Sequence, residues 1–136
     1  MRIFISFLVL ISVQCVCAQS SLNNRLDQAF KHENYTVVLD LLKKKGSSNL
    51  SLKDKYYMAE AYRSIDENAL AMDVYEQIDF EKLNIDQAYF DFAVLLEMDQ
   101  QYEKAALYYG FYLQKHPENI WSAWHMKSCS SKAKLP

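Results

Sequence analysis

The chain has 136 residues, of which 51% are hydrophobic and 24% charged, and its formal net charge is −2. Acidic and basic side chains are mixed along the sequence without forming a basic stripe, which argues against a nucleic-acid partner. The length suits a single domain; with only two glycines, two prolines and no strand-like alternation, the apolar residues recur at helical spacing, so the expected class is all-α.

The chain opens with a short basic start, Met1-Arg2, an apolar run from Ile3 to Val13, and the small residues Val16-Cys17-Ala18 ahead of polar Gln19-Ser20. This order predicts a signal peptide over residues 1–18, cleaved after Ala18. The apolar run is roughly 11 residues long, against about 20 for a spanning helix, so no transmembrane anchor is expected. The residues ahead of Cys15 and Cys17 are bulky or polar where lipid attachment favours small ones. Cleavage would leave Cys129 as the one remaining cysteine, without an internal disulfide and open to pairing with a partner's thiol. It would also bring the formal charge to about −3 by removing Arg2.

The spacing then predicts seven helices within a domain spanning residues 19–129. The first covers Ser21 to His32, with Leu22, Leu26, Ala29 and Phe30 on one face, and turns at His32-Glu33-Asn34. The second runs from Tyr35 to Lys45 with Val38, Leu39, Leu41 and Leu42 inward. Gly46 can take the left-handed conformation that ends a helix, and Lys43-Lys44-Lys45 suits the negative end of the dipole. The third helix covers Ser51 to Ser64, where Ser51 and Asp54 fit a capping box; the fourth covers Glu67 to Ile78. Asp79 to Leu83 is expected as a connector. A fifth helix follows over Asn84 to Met98, and a sixth over Tyr102 to Lys115, stopped by His116-Pro117. The seventh covers Glu118 to Ser128. Residues 130–136 form a polar tail expected to fray.

The sequence also matches itself at an offset of 34. Met58, Ala59, Tyr62, Ala71, Tyr75 and Ile78 are echoed by Phe92, Ala93, Leu96, Ala105, Tyr109 and Tyr112. Small residues at Ala59, Ala93, Ala71 and Ala105 would let paired helices cross closely, with Tyr62, Tyr75 and Tyr109 filling the gaps between pairs. Pro117 has Leu83 as its counterpart. In a first, weaker unit, Tyr35, Val38 and Leu42 align with Tyr102, Ala105 and Tyr109; fitting Leu26 and Phe30 takes a one-residue deletion in the turn and puts Asp27 at the small-residue place.

With these residues the chain resembles the tetratricopeptide-repeat family, whose period is 34. The resemblance covers about Ser21 to Ser128 and implies a right-handed α-solenoid of about three helix–turn–helix repeats plus a C-terminal capping helix. It also implies that the first helix of each pair lines a concave face. On this chain that face would carry Lys53, Tyr56, Glu60 and Arg63, then Gln87, Phe90, Val94 and Glu97, then Trp121 and Trp124; the first helix could add Gln28 and Lys31. Such a face suits an extended or helical segment of another protein, although Tyr56, Phe90 and Trp124 could equally be core. The Lys/Asn clamp with which some family members hold a chain-terminal carboxylate is not matched, since Tyr56, Glu60, Phe90 and Val94 stand at those places. A second contact surface could lie on the sixth helix, where Tyr102, Tyr108, Tyr109, Phe111 and Tyr112 surround nearly every face; half-buried tyrosines are the simpler expectation.

No catalytic constellation or Gly-rich phosphate loop is visible, so neither an enzyme nor a cofactor is expected. His32, His116 and His125 are scattered. His125 and Cys129 lie one turn apart, but a zinc site needs three or four ligands. Asp40, Glu67 and Asp91 are expected as solvated faces and caps. Asn34-Tyr35-Thr36 and Asn49-Leu50-Ser51 fit the glycosylation sequon, relevant in a eukaryotic secretory cell. The functional expectation is an exported, non-catalytic scaffold or adaptor of the cell envelope, periplasmic or outer-membrane associated. The alternative is a chaperone or assembly factor for outer-membrane or secreted clients.

Overall fold

The structure, a computed structural model, describes residues 19–134. The expected signal peptide, residues 1–18, and the last two residues of the tail lie outside the described residues. Every regular element among the described residues is helical, and none of these helices is long and apolar enough to cross a membrane. The chain divides into two compact units between Asn49 and Leu50.

In the first unit, helix α1 (residues 19–31) turns into α2 (Tyr35–Lys45), and a 3₁₀ turn follows over Ser47–Asn49. Leu26, Val38, Leu41 and Leu42 form its buried core, and the Phe30 and Tyr35 rings meet edge-on at 6.1 Å. Gly46 ends α2 at φ +83°, with its N–H on the Leu42 carbonyl. That backbone region is open to glycine and strained for most other residues.

The second unit contains α3 (Leu52–Ser64), α4 (Asn68–Tyr75), α5 (Phe80–Leu83), α6 (Gln87–Met98), α7 (Tyr102–Lys115) and α8 (Ile120–Lys132). Neighbouring helices pack on one another: α3 on α4, α6 on α7 and α7 on α8, with lighter contact between α4 and α6. The capping box at α3 is complete. The Asp54 N–H donates to Ser51 Oγ at 3.1 Å, and the Ser51 N–H to Asp54 Oδ2 at 2.8 Å. Asn119 caps α8 by accepting the Ser122 N–H at 2.9 Å.

The turn between paired helices is built the same way three times. Glu33, Asp66 and Gln100 sit in the left-handed region at φ 55°, 63° and 62°. The next N–H in each turn, that of Asn34, Glu67 and Gln101, reaches back to the carbonyl of Ala29, Tyr62 and Leu96 at 2.9–3.0 Å. The step from Glu33 to Asp66 is one residue shorter than the step from Asp66 to Gln100, and this sets the register of α1. Leu26, which is buried, stands at the place of Ala59. The expected deletion in the turn is therefore not needed, and Asp27 does not hold the small-residue position.

Expected boundaries also change at α4, at the 79–83 connector, at α6, which starts at Gln87 rather than Asn84, and at α8. Helix α4 stops at Tyr75, short of Ile78, and the expected connector contains α5. Asp79 starts α5 by accepting the Lys82 N–H at 3.2 Å, and Asn84 ends it in the left-handed conformation. The driving force is aromatic burial. Phe80 stacks on Tyr75 and Phe92 at 6.2 and 5.6 Å, and Tyr75 and Phe92 stack at 5.0 Å. Continuing α4 straight would forfeit those contacts. At the other end, α8 runs to Lys132 rather than Ser128 because Cys129 is fully buried and holds the last turns in place.

Candidate functional site

The four alanines at the predicted helix crossings, Ala59, Ala71, Ala93 and Ala105, have no exposed surface, and neither do Tyr75 and Tyr109. Close crossing requires small side chains, and the two tyrosines then fill the space beside them. These contacts orient the remaining faces of α3, α6 and α8, where the ten residues singled out by sequence fall into two clusters and some outliers.

The first cluster joins α3 to α6. Tyr56 is buried and donates its hydroxyl to Asp91 Oδ2 at 2.9 Å, while the exposed Gln87 donates to Asp91 Oδ1 at 3.0 Å. Glu60 is also buried. It accepts both Nε and Nη2 of half-buried Arg63, at 3.0 and 2.6 Å, as well as the Tyr75 hydroxyl. Asp91 is therefore not the solvated carboxylate expected from sequence. Burial, reinforced by the nearby charge of Glu60, raises its pKa to about 6, against the hydrogen bonds from Gln87 and Tyr56. Burial followed by the charges of these carboxylates also holds the Tyr56 and Tyr75 hydroxyls in the protonated, donating form. Its location on α6, one turn after Gln87, was the available signal for Asp91: i and i+4 share a helix face.

The second cluster joins α6 to α8. Glu97 Oε2 lies 2.7 Å from His125 Nδ1 and accepts the Tyr109 hydroxyl at 3.0 Å, and Lys132 Nζ is 3.7 Å from Oε1. Burial works against the Glu97 charge, but the His125 and Tyr109 bonds outweigh it and its pKa falls below the usual value. His125 in turn stacks on Trp121 at 4.6 Å and meets Trp124 edge-on at 4.9 Å. Trp121 and Trp124 themselves are 68% and 63% exposed, and Ile120 beside them 83%.

Phe90 is half-buried against the rings of Tyr109 and Tyr112, at 5.8 and 5.4 Å. Val94 is half-buried, and Lys53 is exposed with its Nζ 5.3 Å from the Tyr57 ring. Of the three aromatic side chains that sequence could assign either to core or to surface, Tyr56 is core, Phe90 is intermediate and Trp124 is surface. On α7, Tyr109 and Tyr112 are buried and Tyr108 is half-buried; Phe111 reaches the boundary of exposure. An open cleft of about 520 Å³ runs beside Phe80, Tyr89, Tyr108 and Phe111.

Cys129 is buried, so no disulfide to a partner can form without local opening. Burial together with the charge of Glu97 pushes its thiol up to about 11, and the protonated form is a poor nucleophile. Among the described residues, no group of three or more His, Cys, Asp or Glu side chains is placed to hold a metal ion. No protein-family model matches the chain, and no curated protein matches it.

Proposed function

We propose that this protein is a non-catalytic, tetratricopeptide-like scaffold that binds a segment of another protein along the face shared by α3, α6 and α8. The observation that carries the reading is the agreement between period and burial. Ala59 and Ala93, Ala71 and Ala105, and Tyr75 and Tyr109 lie 34 residues apart, and all six are fully buried. A repeat of that length made of helix pairs favours an extended recognition surface over an enclosed catalytic pocket. Export to the cell envelope, through the leader-like pattern of residues 1–18, is part of the same proposal.

The test is cross-linking and capture from native envelope fractions, comparing the parent chain with Lys53→Glu/Val94→Lys on the inner face and with Phe111→Lys on α7. The expected result is a defined partner, recovered at a near-constant ratio and lost with the inner-face variant alone. Loss with Phe111→Lys and retention by the inner-face variant would move the binding surface to α7 and overturn the assignment.

A further inference from the structure

Ile120, Trp121 and Trp124 line one wholly apolar open pocket on α8. Both tryptophans of the chain are in it. A fully buried aromatic side chain hides roughly 150–250 Å², so this patch offers on the order of 400 Å². Two copies joined through it would bury less than the roughly 1,000 Å² that a specific interface needs. The area therefore argues against a second copy and for a small apolar anchor on a segment that continues elsewhere.

Charge specifies the anchor's neighbours. Residues 50–134 carry nine lysines and arginines against fourteen aspartates and glutamates, a formal net charge of −5. Lys115 is paired with Asp86 at 2.7 Å and Lys132 lies 3.7 Å from Glu97, while Lys127, three residues after Trp124 on α8, is exposed. Glu118, two residues ahead of Ile120, is 77% exposed, and its ion-pair contact among the described residues is His116 at 3.8 Å. An exposed indole face attracts cations, and more strongly than a phenyl or phenol ring does.

Resting on the scaffold reading above, we propose that the Ile120–Trp121–Trp124 patch receives an apolar side chain flanked by lysine or arginine, on a segment of a partner protein. The apolar side chain lies against the indoles and Ile120, and the cation lies over an indole face or toward Glu118. Electrostatic attraction to the acidic unit speeds the encounter and makes it salt-dependent.

The experiment titrates the full chain with labelled synthetic peptides. One alternates leucine with lysine, a second has glutamate in place of lysine, and a third has glutamine. Anisotropy is read together with indole emission, which here reports the patch itself. The lysine peptide is expected to bind and to weaken as salt rises, and the glutamate peptide to bind at least about tenfold more weakly. Trp121→Ala and Trp124→Ala should each weaken the lysine peptide about tenfold, the scale of a hot-spot residue, at an unchanged melting temperature. Glu118→Gln should weaken the lysine peptide and leave the glutamine peptide unaffected. Equal binding of the acidic peptide, no binding of any peptide, or tryptophan variants that bind like the parent would each overturn the proposal. So would a dimer in sedimentation that Trp124→Ala dissolves. If the native partner is still captured by the tryptophan variants and lost with Lys53→Glu/Val94→Lys, this inference fails while the scaffold reading stands.

Discussion

Helices α6 and α8 both pack on α7 and can be compared at the sequence offset of 34, yet they are clothed differently. In α6, Ala88, Tyr89, Phe92, Ala93, Leu95 and Leu96 are all buried, whereas in α8 the buried residues are Ser122 and Cys129. Tyr89 and Phe92 meet the α7 rings at Tyr108. Their counterparts are exposed Ala123 and half-buried Met126, and Ala93 and Leu96 give way to exposed Lys127 and half-buried Ser130. Apart from half-buried Met126, the side of α8 that matches the α7-facing side of α6 is thus polar or small, while its exposed apolar bulk lies at Ile120, Trp121 and Trp124. The contrast separates side chains buried to hold the fold from large apolar side chains left exposed.

Leu96→Ala should break this comparison most sharply. Leu96 has no exposed surface, and a buried Leu→Ala costs about 2–5 kcal/mol. Ser130→Ala, 34 residues later, should stay within about 0.5 kcal/mol, because Ser130 is only half-buried and its hydroxyl donates only to the Met126 carbonyl of its own helix. Denaturant midpoints measured side by side decide it; equal losses would mean that the two positions contribute alike and would remove the contrast. Next in size is Ala93→Leu, which forces bulk into a crossing and should cost about 1–3 kcal/mol, against little change for Lys127→Leu.

Asp91 sharpens the contrast electrostatically. With its pKa raised to about 6, the folded state holds its proton more tightly than the unfolded chain does. The contribution of this group to stability is therefore full at low pH, falls as pH rises from about 4 through 6, and stays low above that. Asp91→Asn removes the buried charge and leaves an oxygen to accept from Tyr56, while Gln87 can turn its amide to match. The variant should be more stable than the parent by up to about 3 kcal/mol at neutral pH, and the gap should close toward pH 4. Thermal melts of both proteins across that range test the sign. A gap that widens on acidification would contradict the assignment. At the other end of α6 the balance is reversed, because Glu97 has His125 and Lys132 beside it to favour its charge.

Most helix positions were legible in the sequence because apolar spacing, the Ser51–Asp54 box and Gly46 are local signals. What escaped depended on contacts between elements. Helix α5 exists because Phe80 is drawn onto Tyr75 and Phe92, which a five-residue window between two helices does not show. Matching residue size misplaces the register of α1, whereas the chain repeats its turn geometry at Glu33, Asp66 and Gln100. A carboxylate on a helix is usually solvated, and the burial of Asp91 follows from Tyr56, on another helix. The residues proposed for an inner face were chosen by position alone, and position could not separate buried Tyr56 from exposed Trp124.

Trp124→Ala carries the smallest expected effect on stability. Trp124 stands 34 residues after Phe90, whose ring packs on Tyr109 and Tyr112, whereas Trp124 is 63% exposed and touches Trp121 and His125 at its edges. Removing it strips away little buried surface and leaves no cavity, so the change should stay within about 0.5 kcal/mol. Phe90→Ala should cost more, because its ring is part of the α6–α7 contact. Equilibrium unfolding of the two variants gives the test. A loss at Trp124 as large as that at Phe90 would mean that the indole is structural, and its exposure would no longer argue for a partner. A negligible loss leaves a large apolar side chain held in water at no benefit to the fold, which is the condition under which contact with another molecule explains its presence.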